Sequence, residues 1–282
     1  MLKIGLIGLG GFGQFCLNTF KNMSDVQVTA ISDNNLSLLK QTAKVYGIKY
    51  YDHAEALIRE KQIDLVHIIT PPFTHHTLSI DALKNGKHVL CEKPLALSKE
   101  QAKAMLQTAR NSNRILPVNL VIRYVPLTIQ LKQLIDQALL GAPLRAYFEN
   151  YATDAPLPPN HWFWDKERSG GIFVEHGVHF FDLYNSWFGS GDVIWATRQK
   201  RPLTDQEDRV LAVMCYENGI TVSHFHSFDQ PPMLDRQRHH IVFEQGEVIL
   251  EGWIPNILEL YGLVDKQVER KLIEIFPGIT IQ

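Results

Sequence analysis

The chain is 282 residues long, 45% hydrophobic and 21% charged, a composition that excludes disordered, collagen-like and low-complexity classes. Its 28 Lys and Arg against 30 Asp and Glu leave a formal charge of -2, so there is no electrostatic footprint for nucleic acid or an anionic membrane surface. Domains typically run to about 100–200 residues, which makes one large or two medium domains the expectation.

The first 120 residues alternate strand-like and helix-like segments. Residues 3–9 form a short apolar strand pattern, 14–23 read as a helix, 26–32 as a second strand and 36–46 as a second helix. Further strands fall at 64–70, 88–91 and 115–121, with a helix at 75–85. Near-continuous apolar strands alternating with helices predict a parallel sheet covered on both faces.

After Arg123 the rhythm changes. A helix is predicted over 128–140, stopped by Gly141 and Pro143, and another over 172–188. The remainder is strand-like, at 144–151, 193–201, 208–216, 221–228, 239–243 and 247–253. Glu217, Asn218 and Gly219 signal a hairpin, and Gln245 with Gly246 a second tight turn. The fold class expected is therefore α/β: a doubly wound Rossmann domain over 1–120, then an α+β domain with a mostly antiparallel sheet over 121–282.

Three cysteines, Cys16, Cys91 and Cys215, are odd in number and lack a C-x-x-C spacing. Neither a disulfide framework nor a thiolate metal site is expected, and a cytoplasmic location is. No apolar run reaches the ~18 residues of a membrane span, and the N-terminal apolar segment is too rich in glycine for a signal sequence.

Gly8-Leu9-Gly10-Gly11-Phe12-Gly13 fits G-x-G-x-x-G directly after the first strand. In that setting Gly8 makes the tight turn, Gly10 lets backbone approach a pyrophosphate, and Gly13 lets helix and strand pack. Gly11 and Phe12 open the helix, whose N-terminal N–H groups favour phosphate. Asp33, twenty residues past Gly13 as the second strand ends, can accept bonds from a ribose hydroxyl. With Asn34 and Asn35 following and no cation before Lys40, the expected cofactor is NAD rather than NADP.

The segment HVLCEKPLA at 88–96 stands with this glycine loop, with Thr70, Pro71, Pro72 and His75, and with Ser169, Gly170 and Gly171 leading into EHGVHFFDL. Together they make residues 2 to about 253 resemble the glucose–fructose oxidoreductase and inositol dehydrogenase (Gfo/Idh/MocA) family. The resemblance implies an NAD(P)-dependent oxidoreductase acting on a sugar, cyclitol or related polyol. It also implies a homodimer or homotetramer built through the C-terminal sheet. Thr70, Pro71 and His75 would lie near the nicotinamide ribose, with Glu92 and Lys93 also at the cofactor.

Lys93 has a physical rationale of its own. It follows a parallel strand whose C-terminal end lines a ligand crevice, and Pro94 keeps it out of the helical region. An ammonium there can orient a hydroxyl and stabilise a forming alkoxide. Glu175, His179 and Asp182 fall at i, i+4 and i+7, one face of a regular helix. By resemblance Glu175 and His179 match the family's Asp-x-x-x-His pair, with Glu replacing the usual Asp and His179 taking the hydroxyl proton. Asp182 is read as an ion-pair or capping residue. Gly177 inside that helix costs ~1 kcal/mol relative to Ala and predicts a close approach to the backbone, by substrate or by the neighbouring domain.

Arg123, Trp162 and His176 are candidate substrate contacts, Trp162 and Trp164 either stacking on a sugar face or anchoring a Pro-rich segment. No metal is expected. His176 and His179 are spaced i, i+3 with Glu175 before both, unlike H-E-x-x-H, while His224 and His226 could at most project together from one strand. Two other functions remain open on this evidence: a glycosidase of the same fold that uses bound NAD transiently, and a regulatory protein that senses nucleotide or sugar.

Overall fold

The structure is a computed structural model and describes residues 1–202 and 204–280. It divides into two compact units, one of Met1–Asn119 with Lys166–Gly170, the other of Leu120–Asp165 with Gly171–Gln282.

In the first unit the chain runs β1 (Leu2–Ile7), α1 (Gly11–Lys21), β2 (Val26–Ser32), α2 (Leu36–Tyr46), β3 (Lys49–Tyr51), α3 (Ala54–Ile58), β4 (Leu65–Ile68), α4 (His75–Lys84), β5 (His88–Glu92), α5 (Lys99–Asn111) and β6 (Val118–Asn119). The six strands pair in parallel in the order β3-β2-β1-β4-β5-β6, the doubly wound dinucleotide-binding order. Successive strand side chains point to opposite faces, so Leu6 packs with Leu9, Cys16, Ile31 and Leu39. Its neighbour Ile7 joins the other layer, with Val66, Ile68, Val89 and Met105. Arg168 lies over the Phe73 ring, 4.5 Å from its centroid, in this same unit.

The second unit continues with α6 (Pro126–Asp136), β7 (Pro143–Thr153), α7 (Lys166–Ser169, which belongs to the first unit), α8 (Val178–Phe188), β8 (Gly191–Lys200), β9 (Glu207–Tyr216), β10 (Thr221–Gln230), β11 (Arg236–Phe243), β12 (Gly246–Glu251), β13 (Ile257–Gly262) and α9 (Lys266–Ile275). Its seven strands are ordered β13-β12-β11-β7-β10-β9-β8. Only β7 and β10 pair in parallel; the rest are antiparallel. The alternating burial of β9 marks a sheet with one face on the core. That core joins Phe148, Met214 and Val222 of the sheet to Leu131 and Leu134 of α6 and to Phe180, Leu183, Tyr184 and Trp187 of α8.

Three expected elements differ. The helix expected over 128–140 runs Pro126–Asp136: proline fits the first helical turn, where its missing N–H costs nothing. After it, Ala138 and Gly141 take φ of 49° and 76°. The strand expected over 115–121 shrinks to Val118–Asn119, although Val89 N and Cys91 N donate to Ile115 O and Pro117 O at 3.0 Å. Pro117 has no N–H to return a bond. The helix expected over 172–188 opens instead with a π-helical turn, Phe173–Gly177, before α8 begins. An i→i+5 turn changes the phase of Glu175 against His179, so the one-face argument drawn from a regular α-helix does not hold there.

Candidate functional site

The glycine loop joins β1 to α1. Gly8 has φ of 102°, and a Cβ there would meet Ile69 O at 2.5 Å. A Cβ on Gly13 would sit 2.2 Å from Gly8 O. Those two glycines are demanded by the protein itself. Gly10 and Gly11 are different, since a Cβ at either meets no atom within 4 Å; the space beside them is open to a ligand. α1 has no acidic residue in its first turn and no side-chain cap at Gly10, which leaves its positive end to an anion. Phe12 is exposed and stacks on Phe15 with centroids 5.7 Å apart.

Asp33 is tied to this loop. Its Oδ2 accepts from Leu9 N at 2.6 Å and its Oδ1 from Asn35 N at 2.7 Å, so the carboxylate braces the turn whose ligand it was expected to read.

A second set of residues fixes the end of β5. Glu92 is buried, and its Oε1 lies 2.9 Å from His67 Nε2 and accepts from Asn119 Nδ2 at 2.8 Å. The Lys93-Pro94 peptide bond is cis. His75 is fully buried, with Nδ1 2.7 Å from Pro94 O and Nε2 2.7 Å from Thr70 O. Burial holds this imidazole below its usual range, against the upward pull of both carbonyls and the Glu92 charge. Thr70 Oγ1 and Thr74 Oγ1 are 2.6 Å apart, and Thr74 Oγ1 donates to Pro71 O at 2.8 Å. Lys93 therefore stands between Glu92 and Pro94, each held by a buried histidine. Sequence reasoning named His75 but missed His67. The available signal was a lone imidazole inside the apolar strand LVHI, which must find a partner there.

Cys16, His67 and Glu92 also bring a thiol, a ring nitrogen and a carboxylate oxygen within 4.8 Å of one another. Burial pushes the Cys16 thiol up to about 12, with the Glu92 charge adding to it. The buried Cys91 thiol rises to about 12 as well. Both are protonated at neutral pH, and the His67, Glu92 and Asn119 bonds account for the carboxylate.

In the second unit the π turn carries Glu175, with its N–H donating to Gly171 O at 2.9 Å, and His176. His179 stands at the start of α8. His176 and His179 are 8% and 4% exposed. The indole of Trp253 touches both, stacked on His176 at 5.1 Å and edge-on to His179 at 5.5 Å. Gly177 does answer a close approach, but from rings of its own unit: a Cβ would meet Phe181 at 3.0 Å, Phe173 at 3.5 Å and His226 Nε2 at 3.6 Å. Neither substrate nor the other domain is needed to explain that glycine.

Arg123 grips Asp182. Its Nη2 donates to Asp182 Oδ1 at 2.6 Å and its Nε to Oδ2, so Asp182 is an ion-pair residue and the guanidinium fork is engaged inside the unit. Trp164 donates Nε1–H to Leu157 O at 3.3 Å and is covered by Arg201 at 4.6 Å. Trp162 packs half-buried against the cluster of Ala152, Phe163, Ile172, Val210 and Phe228. These contacts tie the Pro-rich segment to the rest of its unit. Trp253 was not singled out in the sequence, although Gly252 and Pro255 flanking it are turn signals.

His224 and His226 do project together from β10, and His239 of β11 joins them, all fully buried. Burial pulls His226 and His239 down to about 3 and His224 well below its usual value. These neutral rings pack among Phe148, Phe180, Phe181 and Tyr184.

A six-stranded parallel sheet with a glycine-rich turn after β1, an acid at the end of β2, and a lysine at the end of β5 define a dinucleotide-binding protein of the Rossmann type. Comparison with known proteins makes this specific. Residues 2–120 match the model of the oxidoreductase family with an NAD-binding Rossmann fold, and residues 128–249 match the GFO/IDH/MocA C-terminal domain. The chain belongs to the GFO/IDH/MocA oxidoreductase family.

It is 28% identical over 191 residues to scyllo-inositol 2-dehydrogenase (NAD(+)) of Bacillus subtilis, covering 67% of this chain and 54% of that protein. It is 30% identical over 184 residues to myo-inositol 2-dehydrogenase of Thermotoga maritima, covering 64% and 53%. The matched region thus spans about half the length of these curated relatives. Among solved structures, the WlbA dehydrogenase of Bordetella pertussis, in complex with NADH and UDP-GlcNAcA, superposes with a TM-score of 0.85 at 20% identity, over 98% of this chain and 82% of that one. At that identity the likeness establishes the fold.

Proposed function

We propose that the protein is an NAD-dependent dehydrogenase that oxidises a CH–OH carbon of a cyclitol, sugar or related polyol, or reduces the corresponding ketone. The observation that carries this reading is the fixing of Lys93. Its backbone is held on one side by Glu92, bonded to His67 and Asn119, and on the other by Pro94, bonded to His75. An ammonium presented from such a rigid position orients a substrate hydroxyl and stabilises the alkoxide character that develops as hydride leaves.

His179 would take the hydroxyl proton as the carbinol C–H bond breaks and the C=O bond forms, and a nicotinamide cofactor bound here would supply the hydride acceptor. A neutral imidazole has a ring nitrogen lone pair that can accept a proton. Glu175 orients His179 or holds a second hydroxyl. Gly10 and Gly11 would hold its phosphates, Asp33 its adenine ribose, and Thr70, Pro71, His75, Glu92 and Lys93 its nicotinamide end. The inositol dehydrogenases among the relatives support a polyol substrate.

The same reading includes assembly through the second unit's sheet. The edge strand β8 is exposed along nearly its whole length, with Val193, Ile194 and Trp195 at 59%, 61% and 53%, an edge that a second copy would cover. A cytoplasmic location suits three free cysteines. Among the described residues no helix is long and apolar enough to cross a membrane.

The test is NADH absorbance with NAD+ and a panel of inositols, hexoses and glucosides. The reading predicts NADH formation with at least one of them. Tight NAD binding without turnover across that panel, tested also with NADH and the matching ketoses, contradicts it.

A further inference from the structure

We propose that Trp253 forms a wall of the substrate site, offering its indole to the C–H face of a ring polyol while it holds the rings of His176 and His179 in place. This rests on the dehydrogenase reading above and names a residue outside the matched C-terminal family region, which ends at 249.

The chain is built to put an indole there. After β12 ends at Glu251, Gly252 takes φ of 103°, a conformation that side chains disfavour. A Cβ on it would meet Asn256 Oδ1 at 3.0 Å and Ile254 O at 3.1 Å. Gly252 N donates to Gln237 O at 3.0 Å and Asn256 N to Glu251 O at 3.1 Å. The chain therefore reverses within a few residues and is pinned to β11 as it does so, which sends Trp253 back onto the π turn and α8.

Its contacts there are specific. The indole is near-parallel to His176, 23° between planes, and near-perpendicular to His179 and Phe180, at 86° and 71°. Three rings meet one. Side chains held this way keep a single orientation, and a proton acceptor needs that. Yet Trp253 is 38% exposed while the two imidazoles beneath it are almost covered. A large indole that packs one side on site histidines and leaves the rest to solvent has apolar surface still to bury.

Cyclitols and pyranoses carry hydroxyls around the ring edge and C–H bonds on the ring faces. Small-molecule sites recognise such ligands with an aromatic surface plus a few placed polar groups. Trp253 supplies the aromatic surface next to the imidazole that would take the proton. It also favours flat, ring-shaped polyols over linear ones, because only a ring presents a continuous C–H face.

The experiment compares the unmodified chain with Trp253→Phe, Trp253→Leu and Trp253→Ala, in steady state, with myo-inositol, scyllo-inositol, a methyl glucoside and linear sorbitol. For the best ring substrate, Trp253→Ala and Trp253→Leu are expected to raise KM about tenfold, the equivalent of about 1.4 kcal/mol of lost binding. KM for NAD+ stays unchanged, and Trp253→Phe recovers most of the loss. The ring-over-linear preference falls in the Leu and Ala variants. Unchanged polyol KM in Trp253→Ala overturns the proposal, as does Leu matching Phe, which would show that bulk alone matters. Should the Ala variant fail to fold, Phe against Leu decides. An unmodified protein that binds NAD+ yet converts none of these substrates overturns the dehydrogenase reading and this proposal with it, whereas normal turnover with indifferent variants overturns the proposal alone.

Discussion

The buried ring of His75 lies 2.7 Å from the carbonyl oxygen of Pro94 through Nδ1, and its other nitrogen reaches Thr70 O at the same distance. One imidazole thus joins the loop after β4 to the peptide that follows Lys93. His75→Ala removes the ring and leaves two inward-facing carbonyls without it. A neutral imidazole has one N–H and so donates to one of the two; at about 1–3 kcal/mol for a buried group left unsatisfied, a loss of about 1–3 kcal/mol is expected in urea unfolding. Turnover should fall by more than the affinity for NAD+, because Lys93 loses its support. A His75→Ala protein of normal stability and normal kcat would show that the bridge is dispensable.

The four glycines of the loop separate into two kinds. A Cβ on Gly13 collides with Gly8 O at 2.2 Å, whereas one on Gly10 meets no protein atom within 4 Å. Gly13→Ala is expected to lose stability by several kcal/mol, since backbone must move to admit the methyl group. Gly10→Ala should unfold within about 0.5 kcal/mol of the parent, yet bind NAD+ about tenfold or more weakly, its methyl group occupying space the pyrophosphate needs. Thermal melts with calorimetric titration separate the two effects, and equal NAD+ affinity in Gly10→Ala would move the phosphate site elsewhere.

Asp33 already accepts two backbone N–H groups, and its charge opposes a 2′-phosphate. NADH is expected to bind at least about tenfold more tightly than NADPH, from carboxylate–phosphate repulsion at close range. Asp33→Ser should narrow that ratio and, by loosening the Leu9 contact, weaken NADH binding too. Fluorescence titration that ranks NADPH first in the parent would reject the assignment of Asp33.

Much of this was legible in the sequence because it rests on local rules. The glycine spacing, the acid twenty residues on, the alternation of apolar strands with helices, and the Asn218 and Gly219 hairpin each follow from backbone geometry. The π turn was not legible. Residues 173–188 carry a regular apolar pattern, and nothing in it announces that Phe181, Phe173 and His226 crowd Gly177 from three directions. Trp253 was hidden for a similar reason, since its partners His176 and His179 lie more than seventy residues earlier. The partnership of Arg123 with Asp182, 59 residues away, could not be read from spacing alone.

The buried histidines of the second unit predict an acid limit to stability. His226 and His239 are held near 3, and His224 is shifted the same way, while an unfolded imidazole titrates near ~6.5. Between those values the unfolded chain binds protons that the folded chain refuses, so stability falls as pH drops below about 6.5 and levels off only near 3. Each such histidine adds a slope of about 1.4 kcal/mol per pH unit over that window. Urea midpoints should hold from pH 8 to 7 and then fall steeply toward about pH 4, still inside that window. His226→Phe should flatten the fall, and midpoints indifferent to pH would show these rings to be solvated.

The central claim is that Lys93 and His179 perform the chemistry while the glycine loop holds the cofactor. Its most direct test is single-turnover NADH formation with a ring polyol in the parent, Lys93→Met and His179→Ala, alongside calorimetric NAD+ binding. The account predicts turnover at least about a thousandfold slower in both variants, the combined scale of lost acid–base and alkoxide stabilisation, with NAD+ affinity within about threefold of the parent. Parent-like turnover in either variant would contradict it.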